Sequence, residues 1–478
     1  MISKNIYLTK TDFLFFTIFY VLIFVVIFAG LPGWLCFVLL IGVFLVHIAH
    51  NKNMTLLYPF AIFPFKFVIR APDFDGVFLV VLPDIIVLTT IIIYILQVLS
   101  TKLTMRRKRL ALSVLLLLHI FFSALILYFH VFDIGYIPIL IRTYFLPLLF
   151  LFVMIRASLD DGMLPQHALR IFVISITFVA CLALSQYFSI IKIPSNEQYL
   201  QPLFLSAGNK EGSLRYASRA VIVLGDVFRI NLLTGGGIGS SGAVFVLVSI
   251  LCFAGLISGI NRIMLYVMGF VCFFAGLLSA STSVIIPISV FILLLNLPKR
   301  KQSLFKSLLL LLSTLPLLYA IYKVEIINDT SAINYYMPIA YDVMTESFSN
   351  VNLNSILFGT GPAIFSSGYE LVPDRYIIDV GIFLVLQETG FFNFIVFFSF
   401  LLGVIYVALK NIWKSSDKLA ILHAFPLITL CLLVHANFSI VAPFYVLFAG
   451  SAAGVLSSPT NSEEQLGRKP TLLNSRDA

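Results

Sequence analysis

Long apolar runs separated by short polar connections recur from one end of the chain to the other. Periodicity says little inside them, because all sides of each helix would be apolar, and length decides instead. Runs of about 17 to 25 apolar residues match the ~30 Å hydrocarbon thickness of a bilayer at about 1.5 Å per residue. Transmembrane helices are therefore predicted near 13–30, 34–50, 54–71, 76–100, 110–130, 137–156, 170–192, 240–260, 263–281, 282–297, 304–322, 379–409, 419–437 and 438–457. The third run is interrupted by Pro59, Pro64, Lys66 and Arg70 and reads either as a span or as a broken, re-entrant segment. The expected count is about fourteen helices, or thirteen if 54–71 does not span. Phe13 to Gly30 is of spanning length and another run follows it, so it reads as a first transmembrane helix rather than a cleaved leader. The predicted fold is all-α and polytopic. A single transmembrane domain covers 1–457, and the polar stretch 458–478 is predicted to be a disordered cytoplasmic tail.

Composition removes the soluble alternatives. The chain is 60% hydrophobic and 11% charged, against roughly a quarter charged in a soluble domain, which leaves no room for a separate soluble unit. Charge then sets orientation. Of the 31 basic residues, 21 fall in one set of connections: Lys4, Lys10, Lys52, the cluster KLTMRRKR at 102–109, Arg156, Arg170, Arg262, KRKQSLFK at 299–306, Lys410, Lys414, Lys418 and the tail. By the positive-inside rule those connections, and both termini, are predicted cytoplasmic. The net charge of +9 is accounted for by this bias, so nucleic acid is not an expected partner. The opposite face receives two long connections, 193–239 and 323–378, of a length that usually carries function.

The five cysteines all sit in apolar runs and read as core packing. The seven histidines show no metal-ligand spacing, and most lie in or beside spans as packed or interfacial residues. There is no P-loop and no G-x-S-x-G elbow.

One glycine-rich stretch stands out, RINLLTGGGIGSSG at 229–242. Its end, from Gly237 through Ile238, Gly239, Ser240 and Ser241 to Gly242, satisfies G-x-G-x-x-G, but a dinucleotide loop also needs a βαβ unit. Here the loop is predicted on the outer face and leads into a transmembrane helix, which excludes that reading. Two remain. Either Ser240 or Ser241 caps a helix from Gly242 onward and its N-terminus receives an anion, or the glycines form a flexible entry turn.

Charges gather on the same side. In GNKEGSLRYASRAVIVLGDVFRI, residues 208–230, Arg215, Arg219 and Arg229 have only Glu211 and Asp226 to balance them locally. They are either a pyrophosphate cradle, since guanidinium forks match phosphate oxygens, or solvated loop charges. Arg142 and Asp84 each sit inside a predicted span near its outer end, as a structural pair or as the lining of a polar vestibule. At the close of the second long loop, FGTGPAIFSSGYELVPDRYIIDVGIFLVLQETGFFNF at 358–394 gathers Glu370, Asp374, Arg375 and Asp379 ahead of Glu388. Arg375 and Asp379 are four residues apart and would pair on a helix.

Three stretches in this order resemble the O-antigen polymerase and O-antigen ligase superfamily of bacterial envelope enzymes: RINLLTGGGIGSSG; GLLSASTSVIIP at 276–287, similar to a small-polar turn between consecutive spans; and FGTGPAIF followed by IIDVGIFLVLQETGFFNFIVFF, with its Gly-x-Gly turn, polar pair and Glu-x-Gly break. In ligases the polar pair is usually His-Asn, whereas Asp379 and Val380 stand here, which favours the polymerase over the ligase. The resemblance implies a helical C-type glycosyltransferase fold acting at the outer face of the bacterial inner membrane on polyprenyl-pyrophosphate-linked oligosaccharides, without nucleotide or metal. It implies transfer of the growing chain onto the terminal sugar of a lipid-linked repeat unit, in O-antigen, capsule or exopolysaccharide synthesis, with chain-length regulator and flippase proteins as partners. Arg142, Arg215, Arg219, Arg229 and Arg375, with Gly237, Gly239, Ser240 and Ser241, would receive the pyrophosphate. Asp379 is the first candidate base, with Asp374 and Glu370 in reserve. A ligase and a non-enzymatic lipid-linked oligosaccharide flippase are the competing readings.

Overall fold

The computed structural model describes residues 9–29, 33–65, 77–99, 110–130, 145–188, 190, 238–279, 284–295, 357–359, 381–414, 418–433 and 442–457. Within these it is all-helical. The α-helices are α1 Lys10–Ala29, α2 Gly33–His50, α3 Tyr58–Ile62, α4 Val77–Leu99, α5 Leu110–His130, α6 Leu146–Asp160, α7 Leu164–Tyr187, α8 Ile238–Phe253, α9 Arg262–Leu278, α10 Ile285–Leu295, α11 Gly381–Lys414, α12 Lys418–Leu432 and α13 Ala442–Ser457. Every predicted span carries a regular helix except 54–71, which is broken, and 304–322, which lies outside the described residues.

Local chemistry explains the helix ends. Thr9 caps α1 in a reciprocal box: its N–H and hydroxyl both donate to Asp12 Oδ2 at 2.7 Å, and the Asp12 N–H donates back to Thr9 Oγ1. Asn261 caps α9, its side-chain oxygen accepting from the Ile263 N–H at 3.0 Å. α8 stops at Phe253, seven residues short of the predicted end, because Gly255 turns left-handed at φ 60°. The Leu256 N–H then donates to the Leu251 carbonyl and the Gly255 N–H to the Cys252 carbonyl, the two bonds of a Schellman stop. α7 begins at Leu164, so Arg170 lies within the helix and not in the connection before it.

The predicted third span is held as short pieces, 3-10 turns at Lys52–Leu57 and Phe63–Phe65 flanking α3, with residues 54–65 entirely buried. Such irregular backbone has to be satisfied from its surroundings. Thr90 of α4 donates to the Thr55 carbonyl; a side-chain bond from Tyr58 to His47 of α2 ties the segment further.

α13 sits at the centre against α6, α7, α11 and α12. Its glycines admit neighbours closely: Phe60 lies where a Gly450 side chain would be, and the His423 ring where a Gly454 side chain would be. α12 from Ala420 to Leu430 and α8 from Gly242 to Cys252 are likewise buried. The outer helices differ. α1, α2, α4, α5, α9 and α11 carry exposed faces of large apolar side chains, among them Val46, Leu96, Phe121, Phe270 and Leu402. The stretches Leu164–Ser185 and Gly390–Trp413 are long and apolar enough to cross a membrane, and shorter apolar helices surround them. Apolar faces of that extent on so many helices suit a lipid surround.

Candidate functional site

The glycine motifs are organised at one end of the bundle. α8 and α9 pack along most of their length, and their closest approach joins the first two motifs. A Cβ on Gly242 would collide with Ser279 Oγ and lie 3.2 Å from Val284 Cγ2; one on Gly276 would lie 2.6 Å from Val246 Cγ2. The Ser279 hydroxyl donates to the Gly276 carbonyl at 2.6 Å, so this buried polar group is satisfied within the seam. RINLLTGGGIGSSG and GLLSASTSVIIP thus meet through Gly242, Gly276, Ser279 and Val284.

α8 starts at Ile238, four residues before the expected Gly242. Gly239, Ser240 and Ser241 therefore lie within its first turns, and neither serine is the N-cap. The helix is described from Ile238 onward, and Gly237 lies outside the described residues. There is no strand among the described residues to support a dinucleotide loop.

The third motif forms a second junction. α11 is two helices joined at Gly390, which takes φ 77° and ψ 169°. Against it lies the Leu357–Gly359 turn, with Gly359 also left-handed at φ 81°. A Cβ on Gly390 would stand 2.5 Å from the Leu357 carbonyl oxygen and 2.5 Å from the Phe358 carbonyl carbon. Backbone touches backbone here, which only glycine permits. Gly359, which opens the Gly-x-Gly motif, and Gly390, which closes the Glu-x-Gly break some thirty residues on in sequence, are two halves of one contact.

Just below the break, a polar clamp ties α11 to α5. His119 Nδ1–H donates to Asn393 Oδ1 at 2.7 Å, and Asn393 Nδ2 donates to Ser123 Oγ at 3.0 Å. All three residues are buried, and the Phe397 ring stacks on the imidazole at 4.5 Å. Interhelical hydrogen bonds of this kind contribute about 0.6–2 kcal/mol each in a membrane. From Gly390 to Lys410 the second half of α11 rises about 30 Å, one bilayer thickness. The break therefore stands a full membrane width from the basic end of its helix.

Both junctions face away from the same end. Asn411 of α11 donates to the Val455 carbonyl of α13, Gly450 of α13 abuts Leu169 of α7, and Arg170 of α7 reaches Gly259 ahead of α9. The starts of α7 and α9 and the finish of α11 and α13 thus share one end. The start of α8, the finish of α9 and the break in α11 lie at the other.

Of the charged candidates, Arg142, Arg215, Arg219, Arg229, Glu370, Asp374, Arg375 and Asp379 lie outside the described residues. Asp84 is half-buried on α4. A polar chain with no counterpart in the sequence reading lies near the start of α1: His47 Nε2–H donates to Asp12 Oδ1 at 2.9 Å, Tyr58 donates to His47 Nδ1 at 2.8 Å, and Asn51 donates to Asp12 at 3.2 Å. Phe15 stacks on the imidazole at 4.5 Å. The T-x-x-D pattern of Thr9 and Asp12 was its only local signal. The histidines expected to be packed are so at His47 and His119. Among the described residues no cluster of potential ligands could hold a metal.

No protein-family model, curated protein or solved structure matches this chain.

Proposed function

We propose that this chain is a polytopic membrane glycosyltransferase of the polysaccharide-polymerase kind. It transfers a growing glycan from polyprenyl pyrophosphate onto a lipid-linked repeat unit at the outer face of the bacterial inner membrane. The observation that carries the reading is the glycine architecture: three motifs far apart in sequence form two close junctions, one of glycine against side chains and one of backbone against backbone, at one end of the bundle opposite the basic helix ends. In this reading the two long connections, with Arg215, Arg219, Arg229, Asp374 and Asp379, belong to that end.

In this reading the arginines neutralise the departing pyrophosphate, and Asp379 takes the proton of the acceptor hydroxyl as the new glycosidic bond forms. The pyrophosphate ester supplies the driving force. The broken α11 also favours a second reading, because discontinuous helices are frequent in transporters. Transporter breaks lie near the bilayer midplane, however, whereas Gly390 is about a full bilayer thickness from Lys410.

The test is the glycan ladder of a strain lacking this chain. A polymerase predicts loss of chains longer than one repeat with the single-repeat form retained; loss of the single-repeat form as well would point to transport or ligation. Residue assignment follows from Asp379→Asn, expected to reduce the rate on the order of 10² or more while lipid-linked substrate still binds. If Asp379 only pairs with Arg375, Arg375→Ala is equally damaging and the double variant no worse than either single one.

A further inference from the structure

At the end opposite the glycine junctions, α7 carries Gln166 and Arg170 one turn apart, and both reach the loop between α8 and α9. Gln166 Nε2 donates to Ser258 Oγ, and Arg170 Nη2 donates to the Gly259 carbonyl. Gly259 turns left-handed at φ 75°, and a Cβ there would sit 2.6 Å from Arg170 Nη1, so glycine alone lets the guanidinium lie against this loop. The same guanidinium covers the Phe13 ring at 5.1 Å. Its Nε is shut from solvent without a hydrogen-bond partner among the described residues, so the half-buried guanidinium offers a ligand its charge and not this donor.

Two further cations border it. Arg262, exposed at the start of α9 three residues after Gly259, stands over Tyr266 at 5.7 Å. Lys10, exposed, opens α1 one turn before Phe13. Among the described residues, the acids at this end are engaged elsewhere: Asp12 accepts from Thr9, His47 and Asn51, Asp160 pairs with Arg156, and Asp161 accepts from the Met163 N–H. Among the described residues no carboxylate pairs with Lys10, Arg170 or Arg262.

We propose that this rim binds the phosphodiester headgroup of an anionic phospholipid. Positive charge gathered from Lys10, Arg170 and Arg262 without a carboxylate partner among the described residues suits a phosphate oxygen. Large apolar side chains exposed beside the cations, Leu14 at 58%, Ile263 at 73% and Met264 at 55%, offer a surface to acyl chains that free phosphate would not use. Arg170, fixed against the loop by Gly259, and the exposed Arg262 supply the charge that holds the headgroup, and Arg262 also bears on the lipid surface. The proposal rests on the membrane reading of the chain and is independent of glycosyl transfer.

The experiment uses the full chain purified in a neutral detergent. Its thermal unfolding midpoint is followed on adding phosphatidylglycerol, phosphatidylcholine with the same acyl chains, or inorganic phosphate. Phosphatidylglycerol is expected to raise the midpoint by about 2 °C or more beyond phosphatidylcholine, and Arg170→Ala/Arg262→Ala to abolish that difference. Arg262→Ala alone, at an exposed position that leaves the loop contact intact, reduces the difference and serves if the double variant does not fold. Equal rises with both lipids, or an undiminished preference in the variants, overturn the proposal. An equal rise with inorganic phosphate overturns the lipid assignment and leaves a free-anion site. Loss of polymerisation activity without change in lipid preference, or the reverse, separates this proposal from the catalytic reading.

Discussion

Gly390→Ala tests the junction on which the site reading depends. At φ 77° and ψ 169° a residue with a side chain is strained by about 1–3 kcal/mol. The new methyl group would also stand 2.5 Å from the carbonyl of Leu357 and from the carbonyl carbon of Phe358, main-chain atoms that cannot swing aside as a side chain would. Relief comes only by parting the turn from the break. A bias of one to two kcal/mol lowers the population of the closed junction about 5- to 30-fold.

The assay is thiol cross-linking in a cysteine-free background. Phe358 and Phe392 lie on the two sides of the junction with ring centroids 6.1 Å apart, and both side chains are exposed. With Gly390 in place, the Phe358→Cys/Phe392→Cys pair should join rapidly through a short bifunctional reagent, and Gly390→Ala should slow that joining about 5- to 30-fold. Gly42→Ala supplies the control, because a Cβ at that helical position meets nothing within 4 Å. It should leave cross-linking untouched and stabilise α2 by about 1 kcal/mol. Cross-linking as fast with Gly390→Ala as without it would refute the backbone contact, and the break in α11 would lose its place in the site.

Reporters fused after residue 215 or 345 should be read as extracytoplasmic and those after 105 or 302 as cytoplasmic; finding 215 and 105 on one side would overturn the topology. Arg219→Ala or Arg229→Ala should shorten the glycan ladder strongly, with lysine at either position restoring part, because a point charge cannot replace a bidentate fork; full-length ladders from both alanine variants would return these residues to solvated loop charges. His47→Ala should cost about 1.5–3 kcal/mol by removing a hydrogen bond to the buried Asp12 carboxylate, read as a lowered unfolding midpoint. Burial alone would raise the Asp12 carboxyl, but hydrogen bonds from His47, Thr9 and Asn51 outweigh it and hold the group below its ordinary 3.8. Its stabilisation is therefore complete above about pH 4 and is lost as pH falls through the lowered value; an Asp12→Asn variant with the same acid dependence as the wild type would contradict this.

Helices were legible in the sequence where length alone decides. Their ends were less so, since Arg170 reads as the mark of a boundary while its long side chain lets the guanidinium reach the loop from within α7. The Thr9–Asp12 box was legible as a local pattern. Its extension through His47 to Tyr58 was not, nor was the His119–Asn393–Ser123 clamp, because partners separated by 35 or 274 residues leave no periodic trace. Pro59 and Pro64 did announce the broken segment, since neither can donate to a regular helix.

Glycine was the hardest letter to read, because it stands equally for a turn, an anion cradle and a close approach. Gly242 and Gly276 resolve to close approach within a helix seam, and Gly359 and Gly390 to backbone contact. With Ser240 and Ser241 inside the first turns of α8, the cap that would have offered hydrogen bonds to an anion is not made by them. Under the proposed function, recognition of the pyrophosphate would then fall on the arginines of the first long connection, with the glycines framing the helices beside it. The two roles separate in a single comparison. Arginine substitutions should weaken binding of the lipid-linked donor and leave the 358–392 cross-link unchanged, whereas Gly390→Ala should lose the cross-link first and donor binding only as a consequence.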